Sequence, residues 1–221
     1  MTNELTHIHL IRHGEVHNPQ QILYGRLPRF ALSANGRRQA RQTGAHLSNV
    51  PIQAVFSSPM LRTRQTTRLM FDHGGRFKVH ISSLLNEVCT AFQGMPGAEI
   101  DARNGDVYTG ADACFEQPRD VVARTRKFIA RMRRHFAGGQ VVAVTHGDVI
   151  AFLVLWAKGF DPTPGNKPRL KYAGYPVSYP AHASITSLTY QTVSPHEKPK
   201  MHYWQPEFIK EGFETTSNLE G

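Results

Sequence analysis

Five polar residues that could act on a phosphate group stand at four separate places in the chain. They are Arg12, His13, Arg62, Glu87 and His146. Two guanidinium groups can bind a phosphoryl group through paired hydrogen bonds and stabilise the charge of its transition state. A neutral imidazole nitrogen is a nucleophile, and a carboxylic acid can protonate a leaving oxygen. These residue types together have the chemistry of covalent phosphoryl transfer.

The segments that precede these residues have the pattern of buried strands. Val141–Val144 is continuous, apolar and β-branched, which favours a parallel sheet covered on both faces. Ile185–Tyr190 alternates and is predicted as a late strand. The other predicted strands are His7–Arg12, Ala54–Ser57 and a short third strand within Val79–Leu85.

Helical patterns alternate with these strands. The first predicted helix has Ser33 as its N-cap and ends near Leu47. The other predicted helices cover Met60–Phe71, Arg119–Arg134 and Asp148–Lys158. This alternation predicts a three-layer α/β/α sandwich with a mainly parallel central sheet. Sites in such folds form beyond the carboxyl ends of the strands. We therefore expect the five polar residues to converge at one edge of the sheet.

Two parts of the chain lack this alternation. Glycines interrupt any period in Val88–Pro118, so we predict a lid-like insertion at 88–118 within a domain of residues 1–193. Residues 194–221 are polar and contain proline, which predicts a C-terminal extended tail. We expect partial packing of this tail through Tyr203, Trp204 and Phe208.

The formal net charge of +9 favours anionic partners. Much of the excess lies on the predicted helix Arg119–Arg134, whose apolar residues recur at helical spacing. We interpret its basic residues as a solvated face: Arg124, Arg126, Lys127, Arg131, Arg133 and Arg134. A nucleic-acid surface is the alternative, and it is disfavoured because aromatic residues are not interleaved with the charges.

The remaining composition points to a cytoplasmic protein with no membrane partner. No run of about 18 apolar residues occurs. The first residues lack a basic segment followed by an apolar stretch, so no secretory signal is predicted. Cys89 and Cys114 are interpreted as reduced thiols. No spacing typical of metal ligands occurs.

The polar residues also stand in blocks that resemble those of the histidine phosphatase superfamily, the phosphoglycerate mutase-like family. The resemblance spans about residues 5–190, with the blocks in the family's order. The blocks are Leu10-Ile11-Arg12-His13-Gly14-Glu15 with Asn18, Tyr24-Gly25-Arg26-Leu27, Leu32–Ala40, Ser57–Thr66, Leu85-Asn86-Glu87 and Thr145-His146-Gly147-Asp148.

The resemblance implies a role for each matching residue. His13 would be the nucleophile and Glu87 the proton donor, while Arg12, Arg62 and His146 would form the phosphate pocket. Asn18 and Arg26 are further candidates for phosphate binding, and His182 is a candidate for a substrate contact. Asp148 and Glu15 are alternatives to Glu87 as the acid. The family uses no metal or other cofactor, so none is expected here.

Hydrolysis of phosphomonoesters is the favoured activity. A phosphoglycerate mutase needs extra cations for a second anionic group, but Val88–Pro118 has several acidic residues and Arg103 as its single base. A mutase, or a phosphate-binding scaffold with a weak site, remains the alternative. The expected partner is a small phosphorylated substrate, and a monomer and a homodimer are both open.

Overall fold

The computed structural model describes residues 5–71 and 77–207. Six strands form one sheet with the order β3-β2-β4-β1-β5-β6. They are β1 (Thr6–Arg12), β2 (Ile52–Ser57), β3 (Val79–Ile81), β4 (Gln140–Thr145), β5 (Ile185–Tyr190) and β6 (Lys200–Trp204). The helices are α1 (Ala34–His46), α2 (Leu61–Phe71), α3 (Gly97–Ala102), α4 (Pro118–His135) and α5 (Gly147–Ala157). Two 3-10 helices cover Ser83–Leu85 and Pro164–Ala173.

The sheet is mainly parallel, as predicted. Strands β1 to β4 pair in parallel, whereas β5 and β6 add an antiparallel edge. Arg12 pairs with Thr145, and Ser57 pairs with Val144. The carboxyl ends of β1, β2 and β4 therefore meet at one edge of the sheet.

Alternate residues of β4 build a core on each face of the sheet. Val141 and Ala143 pack with α4 and α5, whereas Val142 and Val144 pack with Ala40 of α1 and other residues of the opposite face. Helix α5 is buried almost all round because it lies between the sheet, α4 and the 3-10 helix Pro164–Ala173. The three predicted layers are confirmed. No helix among the described residues is long and apolar enough to cross a membrane.

The basic helix α4 differs from the predicted solvated face. Its apolar residues are buried as expected, but the Arg133 side chain is only 5% exposed. Arg133 Nη2 donates to the Glu197 carboxylate at 2.7 Å. Arg124 pairs with Glu116 at 2.7 Å, and Arg126 lies over the Trp156 ring. The prediction of a solvated face holds for the four exposed residues Arg126, Lys127, Arg131 and Arg134. It is wrong for the buried Arg133, and Arg124 is half-buried against Glu116.

The third strand is short and lies within Val79–Leu85, as predicted. It ends at Ile81, and a 3-10 turn over Ser83–Leu85 follows it. The turn buries Leu85, whose carbonyl accepts a hydrogen bond from Thr145 Oγ1 at 2.8 Å. Glu87 then follows two residues later at the carboxyl edge of the sheet.

The predicted C-terminal tail contains a strand of the sheet. Lys200–Trp204 pairs antiparallel with β5, so the expectation of a merely extended segment from residue 194 is corrected. The Tyr203 ring packs on Tyr175 and the Trp204 ring stacks on His46. The strand has no clear signal in the sequence because it is short, partly exposed and preceded by proline. Phe208 lies outside the described residues.

The segment Val88–Pro118 is only partly the irregular loop that its glycines predicted. It contains the short helix α3, which buries Ile100. Thr90 Oγ1 donates to the Val107 carbonyl at 2.7 Å and so joins two parts of the segment that are 17 residues apart. We call this segment the insertion.

Candidate active site

His13 lies directly after β1 and is held on all sides. Its amide donates to the Thr145 carbonyl at 3.0 Å, and its carbonyl accepts from the Ala183 amide at 3.2 Å. The imidazole is 1% exposed. With the proton on Nδ1, the ring donates to the Gly14 carbonyl at 2.8 Å. This tautomer leaves the Nε2 lone pair toward the site.

Burial and positive charge keep His13 neutral. Desolvation lowers its pKa well below the ordinary histidine value, and the nearby Arg62 and Arg12 lower it further. The hydrogen bond to Gly14 opposes this shift but does not cancel it. The imidazole is therefore in its nucleophilic form at neutral pH.

Arg62 occupies the centre of the site from the first turn of α2. Its guanidinium is fully buried and donates through Nε to His13 Nε2 at 3.2 Å. Its Nη2 donates to the Gly25 carbonyl at 2.7 Å and contacts His146 Nδ1 at 3.2 Å. The Tyr24 ring lies 4.8 Å from its Cζ. These contacts fix the guanidinium beside the nucleophile.

Arg12 provides a second guanidinium on the other side of His13. Its Nη1 donates to the Pro180 carbonyl at 2.7 Å, and its Cζ lies 5.0 Å from the centre of the Tyr179 ring. Its buried Nε has no hydrogen-bond partner among the described residues. A buried guanidinium N–H without a partner is suited to receive an anionic oxygen.

His146 stands at the N-cap of α5 and adds a second neutral imidazole to the site. Its ring centre is 5.3 Å from that of His13. Nε2 lies 2.9 Å from Ser58 Oγ, so Nδ1 faces Arg62 and Glu87. Burial lowers its pKa well below the ordinary histidine value, and Arg62 and His13 lower it further. The neutral ring can hydrogen-bond an oxygen bound in front of Arg62.

Glu87 brings a carboxyl group to the same point. Its Oε2 lies 3.3 Å from His146 Nδ1 and 3.5 Å from Arg62 Nη2. The Val88 amide donates to Oε1 at 2.9 Å. Burial raises the pKa of Glu87 even though Arg62 opposes the shift, and the negative charge of Asp148 raises it further. A carboxyl group with a raised pKa can serve as a proton donor.

The two alternative acids have other tasks in the structure. Asp148 accepts hydrogen bonds from Tyr108 at 2.6 Å and Tyr179 at 2.7 Å. Burial alone would raise its pKa, but Lys167 at 2.8 Å and these hydrogen bonds lower it, so Asp148 stays ionised. Glu15 accepts from Ser33 and Asn35 at the start of α1. Of these three candidates, Glu87 is the one that lies against both Arg62 and His146.

Three further candidates lie outside the group formed by the five residues. Asn18 hydrogen-bonds Ile22 through both side-chain atoms and closes its own loop. Arg26 donates through Nε to the Glu87 carbonyl at 2.7 Å and pairs with Glu116 at 2.7 Å. The His182 ring lies 5.9 Å from that of His13, centre to centre. Arg26 thus supports the backbone of the acid, and His182 packs beside the nucleophile.

Several residues of the site were not predicted. Tyr24 and Ser58 stand inside the family blocks, and Tyr179 adjoins His182, so their positions were a usable signal. Lys167 comes from the 3-10 helix Pro164–Ala173, where the sequence has no pattern that indicates a site.

His13, Glu87 and His146 also have ligand atoms within 4.8 Å of one another, as a metal site requires. The Arg62 guanidinium, however, contacts all three side chains at 3.2 to 3.5 Å. A cation placed among them would face this charge at close range. The group is therefore suited to an anion rather than to a metal ion.

Known proteins resemble this chain in sequence. A family model of the histidine phosphatase superfamily (branch 1) matches residues 8–192. The uncharacterized protein Rv0525 of Mycobacterium tuberculosis is 34% identical over 163 residues, which cover 71% of this chain and 80% of the relative. The uncharacterized phosphatase PhoE of Bacillus subtilis is 27% identical over 160 residues, or 72% and 80% of the two chains.

Solved structures have the same fold. The mycobacterial glucosyl-3-phosphoglycerate phosphatase Rv2419c has a TM-score of 0.70 and 25% identity, with 91% of this chain and 98% of that chain covered. A phosphoserine phosphatase of Entamoeba histolytica has a TM-score of 0.70 at 19% identity, with 92% and 98% covered. The chain is thus an enzyme of phosphate hydrolysis or phosphoryl transfer, and it belongs to the histidine phosphatase superfamily, branch 1.

Proposed function

We propose that this protein hydrolyses phosphomonoesters through a covalent phosphohistidine on His13, with Glu87 as proton donor. The observation that carries the proposal is the fixed tautomer of His13. Its Nδ1–H is bound to the Gly14 carbonyl, so the lone pair of Nε2 points at Arg62 Nε, 3.2 Å away. A phosphoryl group bound by this guanidinium would lie against the nucleophile.

In the first step, the Nε2 lone pair of His13 attacks phosphorus and forms the N–P bond. The bond from phosphorus to the ester oxygen breaks, and Glu87 gives its proton to that oxygen, so the product leaves as an alcohol. Arg62 exchanges its contact with Nε2 for a phosphoryl oxygen. The Arg12 guanidinium stabilises the growing charge on the remaining oxygens, and the neutral His146 ring hydrogen-bonds one of them.

In the second step, the Glu87 carboxylate takes a proton from water while the water oxygen attacks phosphorus. The N–P bond breaks, inorganic phosphate forms, and His13 regains its Nε2 lone pair. Glu87 is protonated again and ready for the next ester. One carboxyl group serves both steps because its position allows it to act first as an acid and then as a base.

Hydrolysis rather than mutase activity is supported by the insertion. Its single base, Arg103, donates to the carbonyls of Asp106 and Thr109 and lies over the Phe92 ring at 4.5 Å. Arg103 is thus engaged within the insertion and does not reach the site. A bound intermediate with a second anionic group would have no cation from this segment to hold it.

Turnover by a His13→Ala variant, with His17→Ala as the exposed control, tests the proposal. We expect His13→Ala to lower kcat for a phosphomonoester at least about 1,000-fold, since the covalent step is lost. His17→Ala should retain wild-type activity. Excess chelator should not lower the activity of the wild type or of His17→Ala. Activity of His13→Ala close to that of the wild type would overturn the proposal.

A further inference from the structure

A large cavity extends from the phosphate pocket between the insertion and the 3-10 helix Pro164–Ala173. Its volume is about 820 Å³, and it opens at His13 and Arg12. Pockets of this size hold a whole organic ligand and not only a phosphate group. Glu87 lines the cavity. Because Glu87 is the proposed donor to the ester oxygen, the alcohol part of the substrate must lie inside this cavity.

The walls of the cavity are largely apolar or aromatic. The Tyr24 and Tyr179 rings flank its phosphate end, each within 5.0 Å of a guanidinium carbon. Ile100 and Val107, both from the insertion, also line the cavity. Burial of an apolar or aromatic group against such walls is favourable, at about 25 cal/mol per Å².

The charges around the cavity disfavour a second anionic group. Among the described lining residues, the acids are Glu87, Asp101 and Asp148, while the cations are Arg12 and Lys167. Arg12 belongs to the phosphate pocket. The Lys167 ammonium lies 2.8 Å from the Asp148 carboxylate, so its charge is already compensated. A carboxylate or second phosphate beyond the ester oxygen would meet Asp101 with no uncompensated cation beside it.

From this arrangement we infer the substrate class: phosphate monoesters of uncharged alcohols with an apolar or aromatic body. The inference rests on the proposed function, because it takes Glu87 as the group that faces the ester oxygen. It disfavours bisphosphates and phosphorylated carboxylic acids as substrates. The feature that sets the preference is the combination of apolar walls with the Asp148–Lys167 pair and the exposed Asp101.

Three esters test the inference: benzyl phosphate, 4-carboxybenzyl phosphate and 3-phosphoglycerate. The two benzyl esters have the same kind of leaving oxygen, so they differ mainly in the added charge. We expect kcat/KM for benzyl phosphate to exceed that for 4-carboxybenzyl phosphate at least about tenfold, and that for 3-phosphoglycerate about 100-fold. Equal values, or a preference for either charged ester, would overturn the inference.

A charge reversal in the insertion sharpens the test. Asp101→Lys should raise the ratio of kcat/KM for 4-carboxybenzyl phosphate over benzyl phosphate at least about threefold, because it replaces repulsion by attraction. Asp112→Lys is the matched control, since Asp112 is exposed on the same segment but does not line the cavity. An equal effect of both variants would mean that Asp101 has no special role, and the inferred preference would lose its physical basis.

The failure of the substrate inference can be told apart from the failure of the proposed function. Rapid quenching with each ester, followed by detection of phosphohistidine, reports the covalent step directly. A charged ester that is preferred while His13 is labelled would overturn only the substrate class. No phosphohistidine with any of the three esters, despite measurable hydrolysis, would overturn the proposed mechanism, and no hydrolysis at all would overturn both.

Discussion

At the scale of single residues, burial favours the neutral forms of an imidazole and of a carboxyl group that both contact Arg62. Burial pushes the pKa of His13 down and the pKa of Glu87 up, since burial disfavours the charged form of each. Arg62 strengthens the shift on His13 and weakens that on Glu87. Both shifts favour the protonation states that nucleophilic attack with acid assistance requires.

The raised pKa of Glu87 predicts how activity depends on pH. The protonated form is the donor, so kcat should fall as the pH rises through this raised pKa. Glu87→Gln should remove that limb and lower kcat for benzyl phosphate about 100-fold or more. The loss should be smaller for 4-nitrophenyl phosphate, whose leaving oxygen needs less help from an acid.

The measurement for Glu87 is a kcat–pH profile with both esters for wild type, Glu87→Gln and Glu99→Gln. Glu99 is an exposed residue of α3 outside the cavity lining, so its variant should behave as wild type. Equal losses for the two esters in Glu87→Gln would contradict a role in leaving-group protonation.

At the scale of elements, the loop that carries His13 depends on a close backbone approach to α1. A Cβ on Gly14 would lie 2.5 Å from the Gly36 carbonyl oxygen, and a Cβ on Gly36 would overlap the Glu15 backbone. Glu15 in turn caps the start of α1 through Ser33 and Asn35. The first turn of α1 therefore fixes where His13 stands.

Gly36→Ala tests this contact, because the sign of the change in the free energy of unfolding distinguishes two effects. Helix propensity alone predicts stabilisation by about 1 kcal/mol inside α1. The backbone overlap predicts instead a loss of about 1–3 kcal/mol in the free energy of unfolding, together with reduced turnover as the His13 loop shifts. Denaturant unfolding and steady-state kinetics measure both. Gly165→Ala is the control for the unfolding measurement only, since no atom lies within 4 Å of its Cβ position but Gly165 lines the cavity. Stabilisation in Gly36→Ala would refute the contact.

The elements that sequence predicts best are those with a strong local pattern. Strands β1, β2 and β4 are apolar runs, so their carboxyl ends and the residues after them could be identified. The 3-10 helix with Lys167 has no such periodicity and depends on packing against α5. Likewise, the engagement of Arg26 with Glu116 joins residues far apart in the chain and could not be deduced from their local sequence.

At the scale of the whole molecule, the C-terminal strand is connected to the active site. Tyr203 of β6 accepts a hydrogen bond from the Ala181 amide at 3.0 Å, and its ring lies 4.2 Å from that of Tyr175. Two residues further along, the Ala183 amide donates to the His13 carbonyl. The edge of the sheet therefore supports the segment that lies behind the nucleophile.

Removal of β6 should weaken both the fold and the activity. A chain that ends at residue 198 loses β6, whereas a control chain that ends at residue 207 keeps it. We expect the shorter chain to have a Tm lower by at least about 2 °C, since the lost contacts exceed about 1 kcal/mol, and a lower kcat. Differential scanning calorimetry and kinetics with benzyl phosphate measure this. Identical values for the two chains would mean that β6 is dispensable.

The covalent step at His13 can be tested by rapid-quench labelling of the phosphoenzyme. Wild-type enzyme and the His13→Ala variant would be mixed with ³²P-labelled benzyl phosphate, quenched in alkali within milliseconds and analysed for acid-labile label. If His13 is the nucleophile, the label on His13 forms and decays fast enough to sustain turnover, and the His13→Ala variant carries no label. Turnover without labelled His13, or undiminished labelling of His13→Ala, would contradict it.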